Sequence, residues 1–328
     1  MLKYIGRRAL MMIPLIFAIS VVAFIIIQLP PGDYLTTYVA ARAATGEPVT
    51  QAEIDVLRER YGIGEPVFVQ YAKWITGIII RGDFGRSFRY GRPVTQLLGQ
   101  RLLLTFTVSL TTLLFTWIVA LPIGIYSAMK QYSLSDYIVT FLGFIGMAIP
   151  NFLFALILLY LSFEYFGFTM NSLFSAEFVN APWSFARVLD LIKHLWVPVI
   201  ILGTAGTAGL IRIMRANLLD ELKKPYVVTA RAYGYTEREL VRRFPVRVAL
   251  NPFISSIGWS LPYLVSGTTI VAIVLNLPTV GPLLYTALLS QDMYLAGSII
   301  LILSVLTMIG TLISDILLAL LDPRIRYA

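Results

Sequence analysis

The chain contains no cysteine and a single histidine, His194, in 328 residues. Disulfides, thiolate metal sites and cysteine nucleophiles are therefore excluded, as is a zinc site built on paired histidines within the chain. No glycine is followed by lysine, so there is no Walker A phosphate loop, and no Gly-x-Ser-x-Gly nucleophile elbow occurs. Charge is scarce too: 13% of residues are charged against 58% hydrophobic, far too much apolar surface for a water-soluble domain of this size. Acidic residues at membrane depth reduce to Glu164 and Asp315, which argues against a membrane-embedded enzyme and against proton- or sodium-driven transport. If ATP powers anything here, its hydrolysis belongs to another polypeptide.

What is present is apolar length. Runs at about 9–28, 102–128, 138–165, 195–211, 253–277 and 293–321 each come near or exceed the roughly 17–25 residues that cross a bilayer as helix. The expected fold is an all-α integral membrane protein with six transmembrane helices. The fourth run is the least regular, with Pro198 near its start and Arg212 and Arg215 closing its end. The first follows Lys3, Arg7 and Arg8 but is longer than a signal-peptide core and lacks an Ala-x-Ala site, so it is expected to be retained. Basic residues in the N-terminal segment, at Lys130, in the 212–251 loop and at Arg324 and Arg326 place both termini in the cytoplasm; the opposite 277–292 loop has no Lys or Arg. Much of the net charge of +8 then faces anionic lipid, with no need to invoke nucleic acid.

The organisation expected is a first span within 1–28, an extracytoplasmic segment over 29–101, and a five-helix core over 102–328. In the outer segment, Thr50 with Glu53 forms a capping box before Ile54, Leu57 and Tyr61. A second amphipathic helix starts at Pro66, its Tyr71 and Trp74 suited to headgroup level. Arg81-Gly82-Asp83 matches an adhesion tripeptide by three residues only and carries no weight. In the fourth run, Gly203, Ala205, Gly206, Ala208 and Gly209 allow close approach of a neighbouring helix or of a solute. Prolines 122, 150, 198 and 262 interrupt four spans, a recurring feature of helices that line a path. Gly203, Gly206, Trp259 and Tyr263 are the candidate path residues, although packing is the commoner use of both residue types.

The most informative stretch runs from Lys223 to Pro245, a basic insert between two membrane-length runs. Pro225 suits a first helical position, Gly234 the position past a helix end, and Thr236 with Glu239 a capping box that starts a second helix, which Pro245 stops. Two short helices joined at a glycine, with alanines inside and cations around, read as a docking element for another protein.

Taken in order, these features resemble the inner-membrane permease subunits of ABC importers, in the B-type branch of the dipeptide and oligopeptide permeases. The resemblance covers nearly the whole chain. It is carried by Tyr4-Ile5-Gly6-Arg7-Arg8, Gln70-Tyr71, Arg81 to Ser87, Thr229-Ala230-Arg231-Ala232-Tyr233-Gly234 and Leu321-Asp322-Pro323-Arg324-Ile325-Arg326-Tyr327. It implies that the loop at about 215–251 is the EAA element, whose coupling helix inserts into a groove on an ATPase subunit. Thr229, Ala230, Arg231, Ala232, Gly234, Glu237 and Arg238 are then the coupling residues, with Ala230, Ala232 and Gly234 the close-packing core.

Val228 stands where the general motif has glutamate, and Tyr233 where this branch commonly has lysine. Leu277-Pro278-Thr279-Val280-Gly281-Pro282 replaces the usual Pro-Gly-x-Gly turn. The partners implied are a homologous six-helix permease, two ATPases that carry ATP and magnesium, and an extracytoplasmic solute-binding protein. This chain itself would bind no cofactor. Peptide is the expected cargo and oligosaccharide the alternative, while the lack of histidine and cysteine argues against nickel. A receptor or scaffold without transport is the rival of a different class.

Overall fold

The computed structural model describes residues 2–29, 39–40, 42–43, 49–61, 64–87, 89–167, 171–255 and 268–321. These are helical nearly throughout: α1 (Leu2–Gln28), α2 (Gln51–Tyr61), α3 (Val67–Arg81), α4 (Val94–Met129), α5 (Leu134–Ala148), α6 (Asn151–Phe166), α7 (Phe185–Leu222), α8 (Pro225–Ala232), α9 (Glu237–Arg243), α10 (Pro245–Ala249), α11 (Thr269–Val274), α12 (Val280–Leu289) and α13 (Met293–Leu321). No strand forms among the described residues. An isolated antiparallel bridge joins Arg86 to Pro93.

The membrane protein is all-α as expected, but the described residues do not deliver six spans. Four helices are long and apolar enough to cross: Ile5–Gln28, Val94–Met129, Phe185–Leu222 and Met293–Leu320. A fifth span arises only if α5 and α6 are counted as one, and they are bent by 96°. The cause is Pro150, because the residue before a proline is pushed out of the helical region. Ile149 accordingly takes φ −82°, ψ 119°, and α6 begins anew behind Pro150. Residues 256–267 of the expected fifth run, Pro262 among them, lie outside the described residues.

The fourth run is the opposite of irregular. The helix α7 spans 38 residues without a break, passing through Pro198 and beyond Arg212 and Arg215. α4 likewise continues through Pro122. A proline forfeits one backbone bond, a loss that neighbouring helices in a membrane protein absorb. Pro198 and both its neighbours, Val197 and Val199, are buried.

The chain forms two compact units. One comprises Gly6–Thr105 and Thr279–Met308. Within it, α3 packs on α1: the Tyr71 ring meets Phe24 edge-on at 5.5 Å, and its hydroxyl lies 2.6 Å from Ser20 Oγ. Trp74 is buried in the same cluster with Ala23, Phe24 and Ile27. The aromatic face of α3 is thus seated on α1. Ile79 and Ile80 do remain exposed. α2 starts with the expected capping box, Thr50 N–H donating to Glu53 at 3.0 Å and Glu53 N–H to Thr50 Oγ1 at 3.3 Å.

The other unit comprises Met1–Ile5, Phe106–Pro278 and Ile309–Ala328. Its centre is α7, which α4 approaches so closely at Gly124 that an added Cβ would lie 2.7 Å from Met214 Cβ. Near the start of α7, Arg187 is buried between the rings of Phe174 and Trp183, at 4.7 and 4.6 Å. Asp190 accepts from both the N–H and the hydroxyl of Ser175 at 2.8 and 2.6 Å. His194, three residues before Pro198's buried stretch, points its Nδ1 at the Asp190 carbonyl, 2.8 Å away.

Candidate functional site

α7 ends at Leu222, and the chain re-enters a helix three residues later. Lys224 is extended, with ψ 146°, as a residue before proline must be, and Pro225 takes the first helical position. α8 is eight residues long and buries Val227 and Ala230. Three residues apart, these lie on one face. They join Met214 and Leu218 of α7 and Leu240, Val241, Ala249 and Phe253 in one apolar cluster. Met214, Leu218, Leu240 and Phe253 are among the most completely buried large side chains described. Each such burial is worth about 2 kcal/mol, so the loop is pressed firmly onto the end of α7.

Gly234 turns the chain with φ +87°, a conformation that side-chain-bearing residues rarely adopt. Thr236 then caps α9: its Oγ1 accepts from Glu239 N–H at 3.4 Å, and the Glu239 carboxylate accepts from Thr236 N–H at 3.4 Å. Pro245 does more than stop α9. It opens a further helix, α10, in register with the cluster, where Pro245 and Ala249 are buried.

Of the seven residues expected to couple, six are exposed on this platform: Thr229, Arg231, Ala232, Gly234, Glu237 and Arg238. Ala230 is the exception. It faces the chain's own cluster, where its smallness serves packing of the loop onto α7. Arg231 and Glu237 bond to each other, Nε to Oε1 at 2.5 Å and Nη2 to Oε2 at 3.2 Å. That contact holds the Glu237 carboxyl below its usual range. Tyr233 is 81% exposed.

The candidate path residues separate. Gly203 is buried and an added Cβ would meet the Phe115 ring at 2.7 Å, so here the glycine admits a neighbouring helix. Gly206 is exposed, with Thr116 Cγ2 3.6 Å from the Cβ position. Trp259 and Tyr263 lie outside the described residues. A groove of about 300 Å³ runs between α5 and α7, lined by Thr140, Gly143, Phe144, Met147, Ala208 and Arg212.

One ionic contact escaped the sequence reading. Asp136, 2% exposed, accepts from Arg215 at 2.9 and 2.8 Å, from Ser127 Oγ, and from Tyr132 N–H at 3.0 Å. It ties the start of α5 to α7, 79 residues away. The only signal for it was local: Ser133 caps α5 by accepting from Asp136 N–H.

An all-helical membrane chain with an exposed, rigidly seated double helix-turn at the end of its longest span is built as a multi-pass transport component. The chain belongs to the family described as binding-protein-dependent transport system inner membrane component, whose model matches residues 120–327, with the corresponding N-terminal model matching residues 1–111. It is 36% identical over 328 residues to the oligopeptide transport system permease protein AppB of Bacillus subtilis (strain 168), covering 100% of both chains. It is 28% identical over 341 residues to the dipeptide transport system permease protein DppB of Alkalihalophilus pseudofirmus, again 100% of both. With the oligopeptide transport system permease protein OppB of Haemophilus influenzae it shares 28% over 328 residues, 100% of each.

Proposed function

We propose that the chain is the permease subunit of an ATP-driven peptide importer, and that the α8–α9 platform transmits movement from a separate ATPase. The observation that carries this reading is the build of the platform: six outward-facing residues on a turn whose underside is fastened to α7 by Val227, Ala230, Leu240 and Val241. A push on Arg231, Ala232 or Gly234 is delivered to the 38-residue helix α7 with little local give. The ATPase binds ATP and magnesium; this chain supplies neither nucleotide contact nor covalent chemistry.

A homologous permease completes the path, and Gly206, Trp259 and Tyr263 remain its candidates here. Gly203 has a packing role. Both termini and the α8–α9 platform face the cytoplasm, following the basic loops, and an extracytoplasmic solute-binding protein delivers cargo. Relatives named for oligopeptide and dipeptide transport support a peptide cargo over an oligosaccharide.

The test is gentle extraction of the tagged chain from its native membrane. Recovery of an ATPase and a second permease, with ATP hydrolysis stimulated by a binding protein and its peptide, is expected. A lone chain without nucleotide coupling in several detergents would instead make it a receptor or scaffold.

A further inference from the structure

In the unit formed by Gly6–Thr105 and Thr279–Met308, three arginines stand on one tight turn. Arg86 pairs with Pro93 across the isolated bridge, Ser87 N–H donates to the Arg92 carbonyl at 3.0 Å, and Gly91 N–H to the Ser87 carbonyl at 3.0 Å. Adjacent strands of such a bridge are about 5 Å apart, so Arg86, Arg89 and Arg92 share one small knuckle. All three are exposed. Arg86 Nη2 braces the turn by donating to the Gly91 carbonyl at 2.9 Å. Among the described residues, the guanidinium groups of Arg89 and Arg92 meet no carboxylate.

This knuckle is bolted down. Asp292, 0% exposed, accepts from Ser87 Oγ, from Arg89 N–H at 3.3 Å and from Leu295 N–H at 3.4 Å. Ser87 Oγ in turn accepts from Tyr90 N–H at 3.1 Å, and Ser298 donates to the Phe84 carbonyl at 3.1 Å. Gly85, at φ +91°, leaves room for the Tyr294 ring, which would lie 2.6 Å from a Cβ. A solvated loop needs no buried carboxylate to hold its backbone. Anionic lipid attracts flexible cations as well as fixed ones. A braced backbone carries the arginines at set positions, which suits carboxylates on a folded protein that guanidinium groups can grip in bidentate fashion.

We infer that the 86–93 turn docks the solute-binding protein of this transport system through an acidic patch on that protein. The inference rests on the importer reading above and on placement of residues 29–101 on the outer side. It gives the Arg81 to Ser87 motif a use: Gly85 and Ser87 seat the turn, and the arginines that follow meet the partner.

The experiment takes the complete importer, with its second permease and ATPases, in phosphatidylcholine nanodiscs. The co-purified solute-binding protein is added at low and high salt, and its association rate and the stimulated ATP hydrolysis are read. In the double variant Arg89→Glu, Arg92→Glu the association rate is expected to fall about tenfold or more at low salt, and to converge on the parent's at high salt. Asp292→Asn keeps every cation but loosens the turn; its smaller loss should persist at high salt.

Unchanged association of the double variant at low salt overturns docking at this turn. So does a loss seen only in phosphatidylglycerol nanodiscs, which would assign the arginines to lipid. Parent complexes whose hydrolysis ignores the binding protein altogether would bring down the importer reading itself, a result separable from equal stimulation of parent and variant.

Discussion

The α8–α9 platform and the 86–93 turn both present exposed cations, yet they are held by opposite means. The platform sits on an apolar cushion of Val227, Ala230, Leu240 and Phe253. The turn hangs from a buried carboxylate, Asp292, through directional bonds to Ser87 and Arg89. Apolar contact is non-directional, so a close-packed cushion makes two helices move as one body without fixing any single polar group. Hydrogen bonds fix register and weaken steeply with angle. An element that must move with a helix is suited to the first, and one that must present charges at fixed points to the second.

The sharpest way to break this contrast is to remove the carboxylate. Asp292→Ala leaves Ser87 Oγ and the N–H groups of Arg89 and Leu295 without their acceptor in a buried site. At about 1–3 kcal/mol per orphaned donor, partly relieved by water, a loss of about 4 kcal/mol is expected. Thermal unfolding of the detergent-solubilised chain measures it. A loss below that of the cushion variant would show that the turn is not hung from Asp292.

Leu240→Ala attacks the cushion. Leu240 is 0% exposed, and removing a buried leucine costs about 3 kcal/mol. Here stability and coupling should fall together, because the same contact seats α9 and passes its movement to α7. ATP hydrolysis that no longer responds to cargo is the companion readout.

Gly85→Ala sharpens the turn's side of the comparison. The substitution meets φ +91° and a Tyr294 ring atom at 2.6 Å, and about 2 kcal/mol is expected. Thr236→Ala, which removes the cap of α9, should cost about 1 kcal/mol. Both are read by shifts in melting temperature. The second should leave the 86–93 turn untouched, as checked by protection of its amides from hydrogen exchange.

How much of this was legible beforehand depends on range. Several local devices were visible: the capping boxes at Thr50 and Thr236, Pro225 opening α8, and Gly234 turning the chain; the caps at Ser133 and Ser184 were not. These depend on residues within a few positions of one another, where backbone sterics and short side chains decide the outcome. Proline was ambiguous for the same reason. Pro150 breaks its span while Pro122, also exposed, and Pro198, buried, do not, so the presence of a proline does not by itself tell which helix it interrupts. Long-range pairs left no trace. Asp292 meets Ser87 across 205 positions, and Arg215 meets Asp136 across 79. Nothing in periodicity or spacing brings such residues together. The inward turn of Ala230 and the seating of Tyr71 on α1 were missed likewise, since an amphipathic pattern shows which face is apolar and not what covers it.

The smallest effect on stability carries the most about mechanism. Arg231 and Glu237 are bonded on the exposed face of the platform, 48% and 56% accessible, so their pairing adds little to stability. Because Arg231 holds the Glu237 carboxyl below its ordinary value of 4.5, the contact is complete at neutral pH and is lost as pH falls through that lowered value. Arg231→Glu sets two carboxylates against each other while Val227, Ala230 and Leu240 keep the loop seated. The expected result is unchanged melting, normal assembly and lost transport. Adding Glu237→Arg restores an ion pair of reversed polarity. If Arg231 only shapes the loop, transport returns with the pair; if its charge is what the ATPase groove recognises, transport stays lost although the loop is whole. The second result is expected, because the cushion alone already holds the shape.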